Sequence, residues 1–144
     1  MQKYIGKSIK TNQWVKSNNI LVDPKNNDTY LIPDLFSLDN LSLDKRSLVK
    51  YKVDNKSVGI AIAKDINYET IYSGDRVEIA YYNLKSPARK KIISIVTVCY
   101  DGESKLYYMQ SDEKKVFLFK GDSYHLISSI KRIGRKYDLL NNKS

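Results

Sequence analysis

The side chains that could carry catalysis are few in this sequence. Its 144 residues include one histidine, His125, and one cysteine, Cys99. Asp122 precedes His125 by three residues, so its carboxylate could orient the imidazole for acid–base chemistry. No motif supplies the nucleophile that such a pair would serve. Cys99 stands within an apolar run, where a cysteine usually behaves as a small hydrophobic residue. The sequence therefore predicts no catalytic residue and no enzyme.

The other residue types that bind ligands occur in patterns typical of turns. A zinc site of cysteine and histidine cannot be assembled from one residue of each type. Asp112 and Glu113 are followed by two lysines, which is typical of a solvated turn rather than an acid–base pair. Gly74 and Asp75 precede an alternating stretch, which favours a turn glycine followed by a carboxylate that caps loop amides. We predict no metal site and no cofactor.

Net charge gives the clearest indication of function. Twenty-five lysines and arginines stand against 16 acidic residues, for a formal charge of +9. A field of this sign attracts nucleic acids, acidic proteins and anionic surfaces. Lysine accounts for 20 of the 25 basic residues, a bias that an A/T-rich genome alone would also produce.

Two basic clusters and a tyrosine pair form the predicted partner-binding surface. The first cluster is Lys85, Arg89, Lys90 and Lys91, the second is Lys131, Arg132, Arg135 and Lys136, and the tyrosines are Tyr107 and Tyr108. Cations interleaved with aromatic rings suit single-stranded nucleic acid, and arginine and tyrosine are also enriched at protein interfaces. The same residues could instead form a solvated, solubilising surface. We predict that both clusters lie on one face of the C-terminal domain.

Alternation of apolar and polar residues predicts a mainly β protein. Residues 76–82 place Val77, Ile79 and Tyr81 on one face. Residues 92–100 are almost all apolar or β-branched, which favours a central strand buried on both faces. Turn residues separate further strands at 106–109, 116–119 and 124–133. Short strands broken by turns at this interval are typical of a small barrel or sandwich.

The first third of the chain has the pattern of a separate β unit. Strands are predicted at residues 3–9, 14–22 and 29–32, with a turn cluster at 23–28. Leucines recur between Leu35 and Leu48, as in a short amphipathic helix or a leucine-anchored loop. We divide the chain into an N-terminal β unit at 1–36, a connecting segment at 37–56, a small β-barrel at 57–140 and a disordered tail at 141–144.

Three stretches of the sequence resemble the YopX-like proteins of phages and prophages. Tyr-Ile-Gly-Lys at residues 4–7, followed by Asn-Gln-Trp at 12–14, resembles that family's opening hairpin. Ser-Val-Gly-Ile-Ala at 57–61 and Ile-Tyr-Ser-Gly-Asp-Arg-Val at 71–77 are similar to its central signature, and Ile-Gly-Arg-Lys-Tyr-Asp at 133–138 to its C-terminal ending. The turn at 66–68 and the loop at 85–87 depart from the family's pattern. The chain is therefore interpreted as a divergent member.

The resemblance implies a fold without an activity. It implies an N-terminal β-hairpin or three-stranded unit packed on a small barrel of the Src-homology-3 type, encoded by a phage or prophage. A second resemblance, at residues 74–79, 101–103 and 133–135, is to the peptidase half of LexA-type repressors. The catalytic serine and lysine positions of that family fall near Asp65 and Tyr107, so this resemblance would imply an inactive relative.

These expectations converge on a small, non-enzymatic, phage-encoded binding protein. It would engage a host or phage protein, including a host defence protein that it inhibits, and a nucleic-acid-binding accessory role is the alternative. Open sheet edges also make self-association an expectation. No apolar run approaches the ~20 residues of a membrane span, and the start lacks the apolar core of a signal peptide. We therefore expect a cytoplasmic protein of an infected or lysogenic bacterium, without a membrane partner.

Overall fold

Runs of β-branched and aromatic residues between turn residues form antiparallel strands throughout the chain. A computed structural model describes residues 2–33, 48–88 and 90–141. Its strands are β1 (Tyr4–Lys7), β2 (Trp14–Ser17), β3 (Asn19–Val22), β4 (Thr29–Ile32), β5 (Lys52–Val53), β6 (Gly59–Lys64), β7 (Thr70–Tyr72), β8 (Asp75–Asn83), β9 (Lys91–Asp101), β10 (Leu106–Gln110), β11 (Val116–Phe117) and β12 (His125–Arg135). Two 3-10 helices lie at Val49–Tyr51 and Asn55–Ser57, and an α-helix at Lys136–Asn141 follows β12. The predicted mainly β class is confirmed.

The chain divides into two compact units, residues 1–61 and 62–144. In the first unit, β1 pairs with β2 and with the start of β6, while β3, β4 and β5 form a separate three-stranded sheet. The buried core of the first unit includes Tyr30, Ile32 and Leu48. The single strand predicted at 14–22 is wrong, because the chain changes sheets at Asn18: β2 pairs with β1, and β3 pairs with β4.

The predicted connecting segment is only partly described. Residues 34–47, which carry most of the recurring leucines, lie outside the described residues, as do residues 142–144 of the predicted tail. The described part of the segment, from residue 48 onward, supplies β5 to the first unit, where Val53 pairs with Thr29. This stretch therefore contributes to the sheet of the N-terminal unit.

A five-stranded antiparallel sheet in the order β11-β10-β9-β8-β12 dominates the second unit. Its core face carries Val77, Ile79 and Tyr81, as the alternation predicts, and these side chains are buried together with Val96 and Phe117. Within the described residues no pairing between β11 and β12 closes this sheet into a barrel. β6 and β7 are neighbouring strands, and Ile62 of β6 packs on the core.

β9 is central in the sheet, as predicted, but the prediction that both of its faces are buried is wrong. Val96 and Val98 point into the core, whereas Ile93 is 63% exposed and Ile95 is 46% exposed. These two isoleucines belong to the opposite face, because side chains alternate along a strand. In the described residues, no helix is long and apolar enough to span a membrane.

Candidate functional site

Asp75, at the start of β8, organises a buried ion cluster. Gly74 adopts a φ of +88°, which favours glycine, and turns the chain so that the Asp75 carboxylate points inward. Its Oδ2 accepts a hydrogen bond from the backbone N–H of Tyr72 at 2.8 Å. Arg132 Nε donates to Oδ2 at 2.9 Å, and Arg135 Nη1 donates to Oδ1 at 3.0 Å. The predicted capping role of Asp75 is confirmed, and the two arginine partners are additional.

Arg135 is therefore wrongly assigned to the partner-binding surface, whereas the Arg132 side chain remains 24% exposed. The Arg135 side chain is only 3% exposed, and it also donates to the Ser73 carbonyl. Burial lowers the pKa of Arg135, while the adjacent Asp75 carboxylate opposes that shift. Both arginines share the core side of the sheet with Asp75 and Val77, since Arg132 pairs with Val77 and Arg135 with Asp75. The charge of Arg135 is enclosed beside Asp75, whereas Arg132 pairs with Asp75 through Nε and is partly exposed.

The two basic clusters share one face of the sheet only in part: Lys91 lies opposite Tyr82 and Lys131 opposite Glu78 on the same side, whereas other members lie beyond opposite ends of the β8–β12 pair. The β8–β12 pairing runs from His125 opposite Asn83 to Arg135 opposite Asp75. The loop with Lys85 and Lys90 adjoins the first end, and Lys136 follows the second. Eight residues of strand separate these ends by about 27 Å. Arg89 lies outside the described residues.

A different surface emerges on the side of the sheet opposite the core, which we call the outer face. Cross-strand partners share a face, and on this side Ile93 lies opposite Ala80, while Ile95 and Lys131 both lie opposite Glu78. At the neighbouring position, Lys91 and Leu126 both lie opposite Tyr82. The outer face is defined here by Lys91, Ile93, Ile95, Leu126 and Lys131. All five side chains are exposed, so the face combines an apolar centre with flanking lysines.

The two predicted tyrosines occupy different sides of this sheet. Tyr108 lies opposite Cys99 on the side of the outer face and is half-buried. Tyr107 lies on the other side, exposed, with its ring 4.8 Å from that of Tyr100.

Neither the histidine nor the cysteine lies in a reactive setting. His125 Nδ1 is 3.3 Å from Asp122 Oδ2, as the spacing suggested, but its ring packs against Phe117 and Tyr81 at centroid distances of 4.7 and 5.4 Å. Cys99 is half-buried on the outer side of β9 rather than in the core, and burial raises the pKa of its thiol. A raised pKa disfavours the reactive thiolate.

The structure contains no evident metal centre in the part of the chain that it describes. There, no group of three or more His, Cys, Asp or Glu side chains is arranged so as to hold a metal ion. Asp65 is buried, and its carboxylate is occupied by backbone donors: Asn67 N at 2.8 Å, Glu69 N at 2.9 Å and Arg132 N at 2.9 Å. Although burial raises the pKa of Asp65, these hydrogen bonds outweigh it and hold the pKa below its ordinary value. Its role is to fix the β6–β7 turn against β12.

Comparisons with known proteins give no relative: no family model matches the chain, no curated protein matches it, and no solved structure matches its fold.

The outer face is the surface that sequence reasoning missed. Its two isoleucines are part of an apolar run without period-two contrast, so the run itself does not reveal which residues face solvent.

Proposed function

We propose that this chain is a non-enzymatic binding protein whose outer face docks on an acidic and partly apolar surface of a protein partner. The observation that carries the proposal is the exposure of Ile93 and Ile95 on the β8-paired part of β9, on the same face as Lys91 and Lys131. A sheet face that met only water would be expected to carry polar residues at these positions. The isoleucines therefore support a face that is covered in a complex.

The apolar centre can supply binding energy. Burial of one isoleucine side chain contributes about 1.5–3 kcal/mol, and contiguous exposed apolar patches mark interaction sites. Ile93 and Ile95 lie on β9, in the part of the strand that pairs with β8. A partner would therefore meet a preorganised surface, with little chain entropy lost on binding.

The flanking lysines indicate the charge of the partner. Lys91 and Lys131 are exposed, and the whole chain carries a formal charge of +9. Such charges steer association with an acidic surface and fix the orientation of docking. Glu78, between Lys131 and Ile95 in the sheet, is the acidic residue of this region and would orient the partner by local repulsion or by pairing with a partner cation.

The source and the target of this binding follow from the resemblance set out in the sequence analysis. The three stretches that resemble the YopX-like group are the basis for proposing a divergent member of it, encoded by a phage or prophage. A small phage protein without catalytic residues can act by covering a surface of a host protein, and a host defence protein is the target that we propose. This step rests on analogy at the level of the family.

A second candidate function is binding of single-stranded nucleic acid at the end of the sheet near the 83–91 loop. Lys85 Nζ lies 4.8 Å from the ring centroid of Tyr124, Lys90 belongs to the same exposed loop, and Lys91 begins β9. Cations beside an exposed aromatic ring are what a stacked base and its phosphates require. Fluorescence anisotropy with labelled oligonucleotides decides this, because nucleic-acid affinity falls steeply as salt rises. Absence of binding at low salt would exclude this candidate.

The proposed function is tested by affinity capture from bacterial host lysate at moderate salt, followed by mass spectrometry. We expect a stoichiometric protein on the parent chain and on a Val22→Thr control, and its loss on an Ile93→Thr/Ile95→Thr variant. Val22 is an exposed β-branched strand residue of the first unit, so the control makes the same kind of change elsewhere. Capture that is equal on all three proteins, or on none, would contradict the proposal.

A further inference from the structure

The turn between β6 and β7 presents two large apolar side chains to solvent. Asp65 N donates to the Glu69 carbonyl at 2.8 Å, and Tyr68 N donates to the Asp65 carbonyl at 3.0 Å, which closes a tight turn. Tyr68, at the tip of the turn, is 84% exposed, and Ile66 is also exposed. The second unit therefore displays an aromatic and an aliphatic side chain outside its core.

Tyr68 is also held in an unfavourable backbone conformation. Its φ is +61°, in the left-handed region that glycine and asparagine adopt most readily and that costs a bulky residue stability. The side chain makes little contact that would repay this cost, because it is almost wholly exposed. Backbone strain of this kind is concentrated at functional sites. The fold does not need a tyrosine here, which points to a function for its ring.

The turn is rigid, because Asp65 fixes it to β12. One carboxylate oxygen accepts hydrogen bonds from the backbone N–H groups of Asn67 and Glu69, and the other accepts one from Arg132. Ile66 N donates to the Ile130 carbonyl at 3.0 Å. Tyr68 is thus presented on a preorganised support, so that little entropy is lost when a partner binds it.

The turn also adjoins the outer face. The turn is hydrogen-bonded to Ile130 and Arg132 of β12. Lys131, which belongs to the outer face, lies between these two residues in the strand. Lys64, exposed at the end of β6, immediately precedes the turn. The turn is therefore bonded to the strand that carries Lys131, and the exposed charged residues beside it are Lys64, Lys131 and Glu69.

We propose that Tyr68 and Ile66 are the anchor residues of the protein interface, and that they insert into an apolar pocket with an acidic rim on the partner. Tyrosine is among the residues that most often dominate interface energetics. Lys64, which precedes the turn, and Lys131, on the strand to which the turn is bonded, complement the acidic rim. This inference rests on the proposed function, because it assigns the anchor of the same binding surface.

Site-specific photocrosslinking tests the position of the anchor. A photoreactive phenylalanine analogue replaces Tyr68 in one protein and, as a matched control, Glu103 in the exposed β9–β10 turn of another. We expect one discrete adduct from position 68 in host lysate and none from position 103. Excess parent protein should abolish the adduct, and excess Tyr68→Asn protein should compete at least about tenfold less well. No adduct at 68, equal adducts at both positions, or equal competition by Tyr68→Asn would overturn the inference.

Thermal melting tests whether Tyr68 is retained at the expense of stability. Asparagine and glycine tolerate positive φ, so Tyr68→Asn should melt at or above the temperature of the parent, and Tyr68→Gly serves as a second variant. A fall of more than about 4 °C in both variants would show that the ring stabilises the fold and would overturn the inference.

If the parent captures a stoichiometric protein that position 68 does not contact, the anchor is wrong and the proposed function stands. If the parent captures none, the proposed function itself fails and the anchor fails with it.

Discussion

Asp75 and Arg135 form a buried ion pair across 60 residues of sequence, with Oδ1 and Nη1 3.0 Å apart. Arg132 approaches the other oxygen of the same carboxylate. The three side chains join the turn before β8 to the end of β12, which are opposite each other in the sheet. A buried charge that loses its partner is strongly destabilising. The cluster therefore stabilises the second unit, and substitution of any of its members should lower the free energy of unfolding.

Asp75→Asn should destabilise the protein by about 3–5 kcal/mol, because it leaves Arg135 buried without a counter-charge. Urea unfolding monitored by circular dichroism measures the effect. Asp112→Asn, in an exposed turn, is the matched control and should stay within about 0.5 kcal/mol of the parent. A loss below about 1 kcal/mol for Asp75→Asn would mean that the pair does not stabilise the fold.

Arg135→Ala should lower the free energy of unfolding more than Arg132→Ala does. The Arg135 side chain is fully enclosed, and its removal should cost about 3 kcal/mol or more. Arg132 is partly exposed and keeps some hydration, so loss of its charged hydrogen bond should cost roughly 1–2 kcal/mol. The comparison uses the same urea experiment. Equal and negligible losses would restore both arginines as surface residues.

Asp65 predicts a specific dependence of stability on pH. Its pKa in the folded protein lies below the ordinary value of 3.8, so its stabilising effect is complete above that value and is lost as pH falls through the folded pKa. Asp65→Asn should therefore be less stable than the parent at pH 7, by about 2 kcal/mol. The difference should shrink below about pH 3.8. Urea unfolding at pH 7, 4 and 3 checks this, and a difference that does not change with pH would contradict the assignment.

Charge reversal on the outer face should slow association. A Lys91→Glu/Lys131→Glu variant should lower the association rate for the partner by about tenfold or more at low salt, and the effect should diminish at high salt. Lys25→Glu/Lys56→Glu changes the net charge equally in the first unit and is the matched control. Biolayer interferometry at two salt concentrations measures both rates. Equal slowing by the two variants would show that only net charge matters.

Strand positions in the second unit could be predicted because they depend on local pattern. Val77, Ile79 and Tyr81 alternate with polar residues, so the core face of β8 is evident from the sequence. Gly74 likewise marks its turn, because its positive φ favours glycine. These features depend on a few adjacent residues, and the remainder of the fold leaves them unchanged.

The candidate site could not be predicted in the same way. Pairing of Asp75 with Arg135 depends on strand register across 60 residues, and no local pattern distinguishes that arginine from an exposed one. Ile93 and Ile95 were predicted to be buried, because an apolar run does not indicate which face is covered. The positive φ of Tyr68 could not be predicted either, because tyrosine is not a residue that indicates this conformation.

The central claim is that the outer face binds a protein, and it is tested most directly by the dissociation constant of the captured partner. Isothermal titration calorimetry compares the parent, Ile93→Thr/Ile95→Thr and the Val22→Thr control, each first shown to melt cooperatively. Loss of two buried isoleucines should weaken binding by about 2–4 kcal/mol, or roughly 30-fold or more, while the control binds as the parent does. A double variant that melts normally and binds as tightly as the parent would contradict the claim.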